Sequence, residues 1–291
     1  MAIPDIAYHR PASLSEACAL GERLGADAAF LAGGTELLPD YQRQRETARH
    51  LIALDALDEL RGIGAADGSL VIGGLATIAQ VAASPLVRAW FPALAEAARS
   101  IGSPQIRSRA TIGGNFCRAV PCADTPPAAI AAGARVRLVG PGGLREMDAE
   151  RLFTGPRRTA LHPGEVLAAI VIPGQPSDSG SSYQRFARRH GSTLAVAAVA
   201  ARITMNGSTI ADARLALGAV APVPMLATRA AAVLEGQPPS ADLFAVAGAL
   251  CAAEALPITD LRATADFRRE LVSVLARRAL ARATDRAGGA P

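Results

Sequence analysis

Lysine is missing altogether: all 30 basic residues of this 291-residue chain are arginine. A Walker-type phosphate loop, which needs its lysine, is thereby excluded. Aromatic residues are scarce as well, at 4%, so there is no platform on which bases could stack. The arginines are scattered and pair only at Arg157-Arg158, Arg188-Arg189, Arg268-Arg269 and Arg277-Arg278. With a net charge of only +4, these features argue against a nucleic-acid partner. Cys18, Cys117, Cys122 and Cys251 are too few for a disulfide framework in a chain this long. No apolar run reaches the ~20 residues of a membrane span, and Met1-Ala2-Ile3-Pro4-Asp5 has neither the basic nor the apolar part of a secretory leader. The expectation is a cytoplasmic protein without a membrane span. His9, His50, His162 and His190 lack metal-ligand spacing, and no serine sits in a nucleophile elbow. Gly62-Ile63-Gly64 lacks the third glycine of a Rossmann fingerprint. No acid–base or nucleophilic centre stands out, so redox chemistry here would belong to a cofactor that the protein positions.

What is present is a core: half of the residues are apolar, and the length suggests two domains. Ser13-Leu14-Ser15-Glu16 and Thr77-Ile78-Ala79-Gln80 have the form of capping boxes. After the first, Leu14, Ala17, Cys18, Gly21 and Leu24 share a helical face. Residues 28–32, 51–54, 70–74, 135–139 and 166–172 read as strands, 92–100 as a helix, and Gly140-Pro141-Gly142-Gly143 as a turn. The segment Pro173–Ser182 reads as the linker between domains. Beyond it, residues 194–203 and 210–217 form a hairpin signal around Asn206-Gly207, followed by helices over 243–254 and 264–286. The order suggests an α+β protein without a regular doubly wound sheet.

Two glycine-rich segments carry the chemistry. The strand ending at Ala32 runs into Gly33-Gly34-Thr35, and Thr111-Ile112-Gly113-Gly114-Asn115 repeats the same logic. Without Cβ atoms the backbone can approach a phosphate closely, and successive N–H groups can cradle it. One such segment alone is as well explained by a tight turn. Two could clasp a pyrophosphate from two sides. Asp124, nine residues on, could accept hydrogen bonds from a ribose hydroxyl. It could equally be the N-cap of a helix opening at Thr125-Pro126-Pro127.

At these residues the chain resembles the FAD-binding medium subunits of the molybdenum hydroxylases, the group of the carbon monoxide, xanthine, nicotine and quinoline dehydrogenases and 4-hydroxybenzoyl-CoA reductase. The resemblance starts at Phe30-Leu31-Ala32-Gly33-Gly34-Thr35-Glu36-Leu37-Leu38. It continues through Ile101–Asn115, Ala123-Asp124-Thr125-Pro126-Pro127, Gly164-Glu165-Val166-Leu167, Tyr183-Gln184-Arg185-Phe186 and the stretch from Phe267 to Leu280. It implies an α+β fold with a two-subdomain FAD-binding domain of the vanillyl-alcohol-oxidase (PCMH) type over residues 1–175. A smaller domain over 180–287 follows, an antiparallel sheet with helices. It also implies cofactor contacts. The backbone of Phe30, Leu31, Ala32, Gly33, Gly34, Thr35, Glu36 and Leu37, and that of Thr111, Ile112, Gly113, Gly114 and Asn115, would hold FAD. Ile101, Asp124, Leu167 and Gln184 or Arg185 would touch it, with the isoalloxazine near Thr193 or Leu194.

In 4-hydroxybenzoyl-CoA reductase an insert in this region carries the cysteines of a 4Fe–4S cluster. Cys122 could match one ligand, but the insert and the remaining ligands are missing, so no cluster is expected. The implied function is electron transfer. A small subunit with 2Fe–2S clusters would deliver electrons from a large molybdenum-cofactor subunit, and the flavin would pass them to an external acceptor such as NAD+, oxygen or a quinone. The assembly would be a dimer of heterotrimers. A self-contained flavin oxidoreductase and a flavin-free structural homologue remain as alternatives.

Overall fold

The computed structural model describes residues 5–189 and 191–288; Met1–Pro4, His190 and Gly289–Pro291, and with them the start of the chain and one of the four histidines, lie outside the described residues. Three main sheets follow one another along the described chain, with a two-stranded ribbon beside the second, and three apolar clusters pack on them, the largest spanning the second and third lobes.

The first lobe holds β1 (Ala7–His9), α1 (Leu14–Leu24), β2 (Ala28–Leu31), α2 (Leu37–Gln42) and β3 (His50–Ala53). The strands form a parallel sheet with β3 in the middle. Ser13 caps α1 by accepting from the Glu16 N–H, but the Glu16 carboxylate reaches back to the Ala12 N–H and leaves the box half made. As the spacing predicts, Leu14, Ala17, Cys18 and Gly21 are buried; Leu24 is half-buried. The strand β2 lies at the edge of the sheet, so the chain leaving it has one side unpaired.

The second lobe runs from β4 (Ile63–Ala66) and β5 (Ser69–Gly73) through α3 (Ile78–Ala83), α4 (Pro85–Trp90), α5 (Pro92–Ser100), α6 (Pro104–Arg107), α7 (Ile112–Cys117) and α8 (Thr125–Ala131). It ends with β6 (Arg135–Gly140), β7 (Gly143–Asp148), β8 (Phe153–Gly155), β9 (Arg158–Thr159) and β10 (Val166–Pro173). The last strand is central in the five-stranded order β4-β5-β10-β6-β7. It is buried along almost its whole length, as its unbroken apolar run requires. A register shift between Leu167 and Ala169 interrupts its pairing with β6. The Ala168 carbonyl at this bulge accepts from the Gly74 N–H at 2.7 Å, and Gly74 in turn positions the second glycine segment. The capping box at Thr77 is reciprocal, with Gln80 returning to the Thr77 N–H.

The third lobe is the antiparallel sheet of β11 (Ser179–Phe186), β12 (Ala197–Asn206), β13 (Thr209–Gly218) and β14 (Met225–Leu226), followed by α9 (Thr228–Ala232), α10 (Ala241–Glu254) and α11 (Ala265–Ala287). The α11 helix lies so close to β11 that a Cβ on Gly180 would stand 2.0 Å from the Ala283 carbonyl oxygen.

Two expectations are corrected here. The linker is shorter than its composition suggests, because Ser179–Ser182 belongs to β11 and Ser181 and Ser182 are buried. The reason is polar satisfaction. Helix α5 has no side-chain cap of its own, and the Ser181 hydroxyl accepts from the Ala93 N–H at 3.2 Å across the lobe boundary. Likewise β12 starts at Ala197, three residues after the apolar run begins, and Leu194 is exposed. Ser181→Ala should therefore destabilise the protein by about 1 kcal/mol, the usual cost of a lost N-terminal partner, with no change for Ser177→Ala in the true linker. Urea unfolding of both variants checks this.

Candidate cofactor-binding cleft

The two glycine segments meet where the first two lobes touch. A Cβ at Gly33 would stand 2.1 Å from the Arg109 carbonyl oxygen, and one at Gly113 would stand 2.7 Å from that of Gly74. Gly34 has φ 73, a left-handed conformation that glycine adopts without strain. Gly114 is exposed, and a Cβ there would meet only the Thr111 hydroxyl, at 2.9 Å. Gly33 and Gly113 are thus demanded by the packing of chain on chain, whereas a Cβ on Gly34 or Gly114 would meet only side chains, those of Leu31 and Leu38 or of Thr111.

The amides of the two segments differ in kind. In the second, Ile112 donates to Ala76, Gly113 to Gly74 and Asn115 to Thr111, all to carbonyls, and Gly114 donates to the Thr111 hydroxyl. This segment is the first turn of α7, N-capped by Thr111, where the residue pattern alone suggested a loop. In the first segment, the N–H groups of Gly33, Gly34, Thr35, Glu36 and Leu37 have no acceptor among the described residues. Five consecutive free donors at the end of an edge strand form a concave anion-receiving backbone.

A continuous cleft runs past them. Its middle is walled by Phe30, Ala32 to Leu37, Ile101, Thr111, Gly114 and Asn115. One end is an apolar slot between Leu54, Leu60, Leu161 and Leu167, with Gly113 on its wall. The other end opens between Asp124, Ser192, Thr193 and Leu194. Here the Ser192 N–H donates to the Gly102 carbonyl at 3.1 Å, which ties the third lobe across the mouth.

Most of the expected site residues line this cleft. The exceptions are Leu31, whose carbonyl accepts from the Leu54 N–H, Ile112, which is fully buried in the core, Gln184, whose amide donates to the Ser182 hydroxyl, and Arg185. The Arg185 guanidinium lies behind the wall and donates to both oxygens of Asp124, at 3.0 and 3.1 Å, and to the Thr193 carbonyl at 3.3 Å. Asp124 precedes α8, but its carboxylate caps nothing; the Tyr183 hydroxyl donates to it at 2.7 Å. Burial pushes the Asp124 carboxyl above its ordinary range, against the pull of Arg185 and Tyr183. Burial and the Asp124 charge push the Tyr183 hydroxyl well up.

Residue pattern alone missed Arg118, the C-cap of α7, one turn beyond Asn115. Its guanidinium donates to Glu36 at 3.0 Å and also to buried Asp40, bracing α2 and the free-amide segment against α7. Cys117 lies in the cleft wall, its thiol pushed up to about 12 by burial. The Cys122 thiol is raised too, again by burial, although Arg262 beside it works the other way. At the apolar slot, Arg145 grips Glu165 with two N–H groups at 2.6 and 2.7 Å and holds its carboxyl below the usual range.

These features fit FAD: free donors for a pyrophosphate, an apolar slot for one ring system, and an open polar end for the other. Comparison with known proteins agrees. A family model described as the FAD binding domain in molybdopterin dehydrogenase matches residues 4–175, and one described as the CO dehydrogenase flavoprotein C-terminal domain matches residues 181–283. The carbon monoxide dehydrogenase medium chain of Hydrogenophaga pseudoflava is 35% identical over 277 residues, covering 95% of this chain and 96% of that one. The putative xanthine dehydrogenase FAD-binding subunit of Escherichia coli K12 is 32% identical, with 97% of each chain covered. Among solved structures, carbon monoxide dehydrogenase from Hydrogenophaga pseudoflava superposes with a TM-score of 0.95 at 36% identity, covering 98% of this chain and 99% of that one. Quinoline 2-oxidoreductase from Pseudomonas putida 86 gives 0.92 at 29% identity, covering 100% and 99%. The chain belongs to the FAD-binding medium-subunit family of the molybdenum hydroxylases. It is an oxidoreductase subunit whose cofactor is FAD.

Two predictions follow from the geometry. Gly114→Val places a side chain in the cleft and should weaken FAD binding by more than about tenfold, roughly 1.4 kcal/mol, at a modest cost in stability, because the close neighbour is the Thr111 hydroxyl alone. Gly33→Ala should destabilise the flavin-free chain more, by about 1–3 kcal/mol for a backbone overlap; equal unfolding behaviour of the two variants would contradict the assignment. The second concerns Glu165. Its folded pKa lies below the unfolded one, so the Arg145 pair stabilises the fold above about pH 4.3, the unfolded value, and that contribution disappears as pH falls through the folded value. Glu165→Gln should be less stable than the parent at neutral pH, with the gap narrowing in acid; a gap that stays constant with pH would refute it.

Proposed function

We propose that this chain carries FAD as the relay of a heterotrimeric molybdenum hydroxylase. In this reading the cofactor occupies the whole cleft. The free amides of Gly33 to Leu37 donate to its pyrophosphate, with the Thr35 hydroxyl beside them. Thr111, Gly114 and Asn115 form the opposite wall. Since the amides of α7 are already engaged, this wall offers side chains and clearance. The slot lined by Leu54, Leu60, Leu161 and Leu167 takes the adenine ring, and the isoalloxazine lies at the end beside Thr193 and Leu194. A carboxylate has about four acceptor positions, so Asp124 can still accept from a ribose or ribitol hydroxyl while Tyr183 and Arg185 fix its direction. Bound there, FAD supplies both one-electron and two-electron redox chemistry.

The FAD-binding unit is residues 1–175, and 180–287 form the unit that closes the mouth. Electrons arrive from 2Fe–2S clusters of a small partner subunit, having left the organic substrate at a large molybdenum-cofactor subunit. They depart to an external acceptor. The complex is a dimer of heterotrimers in the cytoplasm, a setting in keeping with four unpaired thiols. No helix among the described residues is long and apolar enough to cross a membrane.

The row of five unpartnered amides is the observation that carries this reading. The names of the relatives support the subunit role, since they describe medium chains and FAD-binding subunits. A self-contained oxidoreductase is less well supported, because the described cleft holds no free base: Glu36, Asp40 and Asp124 are each paired with arginine. Mixing the FAD-loaded chain with its chemically reduced iron–sulfur partner should bleach the flavin absorbance rapidly. A chain that takes up no flavin, or a flavin that stays oxidised beside the reduced partner, would defeat the proposal.

A further inference from the structure

Arg268 stands in the first turn of α11 and is only 1% exposed. Both facts are unfavourable. A cation near a helix N-terminus opposes the helix dipole, and burial strips a guanidinium of its water, a cost that only well-placed partners offset. Its Nε is buried with no hydrogen-bond partner among the described residues. The packing of α11 on its sheet does not need it, since Val272, Leu275, Ala276, Ala279 and Leu280 are buried in that apolar cluster. What the side chain reaches accounts for its place better than stability does.

Its Nη1 donates to the Val196 carbonyl at 2.6 Å and to the Ala219 carbonyl at 3.1 Å, and its Nη2 donates to Asp260 at 2.7 Å. The two carbonyls lead to the two sides of the open end of the cleft. Val196 closes the segment that carries Thr193 and Leu194, which line one side. Ala219 reaches the other side: its N–H donates to the Pro121 carbonyl at 2.8 Å, and Cys122, Ala123 and Asp124 follow on the wall. Ala219 has φ 64, a conformation that a residue with a Cβ keeps only where its surroundings hold it. Arg185 makes the same kind of bridge, between the Thr193 carbonyl and Asp124. Two arginines thus grip the segment 193–196 by its first and last carbonyls and tie each end to the 121–124 wall. Asp260 stiffens the arrangement, because it also accepts from Arg262 at 2.9 Å, which stands beside Cys122.

We propose that Arg268 is a positioning residue for the flavin: without touching the cofactor, it fixes the separation of the two sides of the open end, and so the seat of the isoalloxazine. The inference rests on the FAD reading, in which that ring lies beside Thr193 and Leu194. Lysine is no substitute. A guanidinium presents its donors in a rigid planar fork, whereas an ammonium is a point charge on a flexible stem and does not hold two carbonyls and a carboxylate in the same directions. The free amides of Gly33 to Leu37 lie in the middle of the cleft, away from this clamp. Retention of the cofactor and the setting of its ring are therefore separable.

The test compares the FAD-loaded chain with Arg268→Lys and, as a control, Arg202→Lys. Arg202 is half-buried in the same lobe, pairs with Asp212 and does not line the cleft, so its loss loosens the sheet without touching the clamp. Flavin content, visible circular dichroism of the flavin and quenching of its fluorescence by iodide are read in each. Expected for Arg268→Lys is full flavin content with altered dichroism and several-fold greater access of iodide. Arg202→Lys keeps the parent's values even where urea unfolding shows a similar loss of stability. Parent-like dichroism and quenching in Arg268→Lys overturn the proposal. So do equal changes in Arg202→Lys, which would reduce the effect to general loosening. If Arg268→Lys does not fold or takes up no flavin, Asp260→Asn decides by the same readings. It keeps the guanidinium and removes the carboxylate that orients it, and a parent-like flavin there overturns the proposal. Absence of flavin from the unaltered chain defeats the FAD reading itself, whereas intact flavin with parent-like signals in the variants defeats only the role of Arg268.

Discussion

A backbone contact without side chains holds the site together. Gly33 lies against the Arg109 carbonyl and Gly113 against that of Gly74, at distances where a Cβ cannot stand. These two approaches bring an edge strand of the first lobe and the first turn of α7 in the second to opposite walls of one cleft. The bulge in β10 sets the second wall in place, because its Ala168 carbonyl fixes Gly74 and Gly74 fixes Gly113. Chain packing at Gly33 and Gly113 thus sets the two walls of the cleft that Gly34 and Gly114 line.

The walls divide the work. The first presents free amides because β2 is the outermost strand of its sheet and nothing pairs with the chain that leaves it. The second has spent its amides on the fold and contributes shape. Charge is distributed with the same economy. Carboxylates within the cleft would oppose a cofactor with two phosphates, and each is held by an arginine behind or beside it. Arg118 does this for Glu36 and Asp40, and Arg185 for Asp124. The Arg185 contact with Asp124 also links the third lobe to the second at the cleft, so the C-terminal unit helps to shape the reactive end.

Much of this was legible in the residues themselves. The paired glycine segments, the capping box at Thr77, the helix Pro92–Ser100 and the hairpin at Asn206-Gly207 all rest on local signals that the fold respects. The misread segments depend on distant partners. Serines 181 and 182 look like linker residues, yet both pair with β12, Ser181 meets the uncapped start of α5 and Ser182 accepts from Gln184. Leu194 opens an apolar run, yet Gly102 and Arg185 hold the neighbouring backbone away from the sheet until Ala197. Similarly, no local pattern distinguishes a glycine segment with free amides from one whose amides are spent. That difference is decided by Gly74 and Ala76, far back along the chain. Arg118 was missed because its role appears only when α2 is folded against α7.

Hydrogen exchange at the two glycine segments tests the central claim most directly. On addition of FAD to the flavin-free chain, peptides spanning residues 33–37 should gain strong protection, because these amides acquire acceptors they otherwise lack. Peptides spanning 112–115 should change little, since their amides are already bonded. Protection gained mainly at 112–115, or none at 33–37, would contradict the account of how this cleft holds its cofactor.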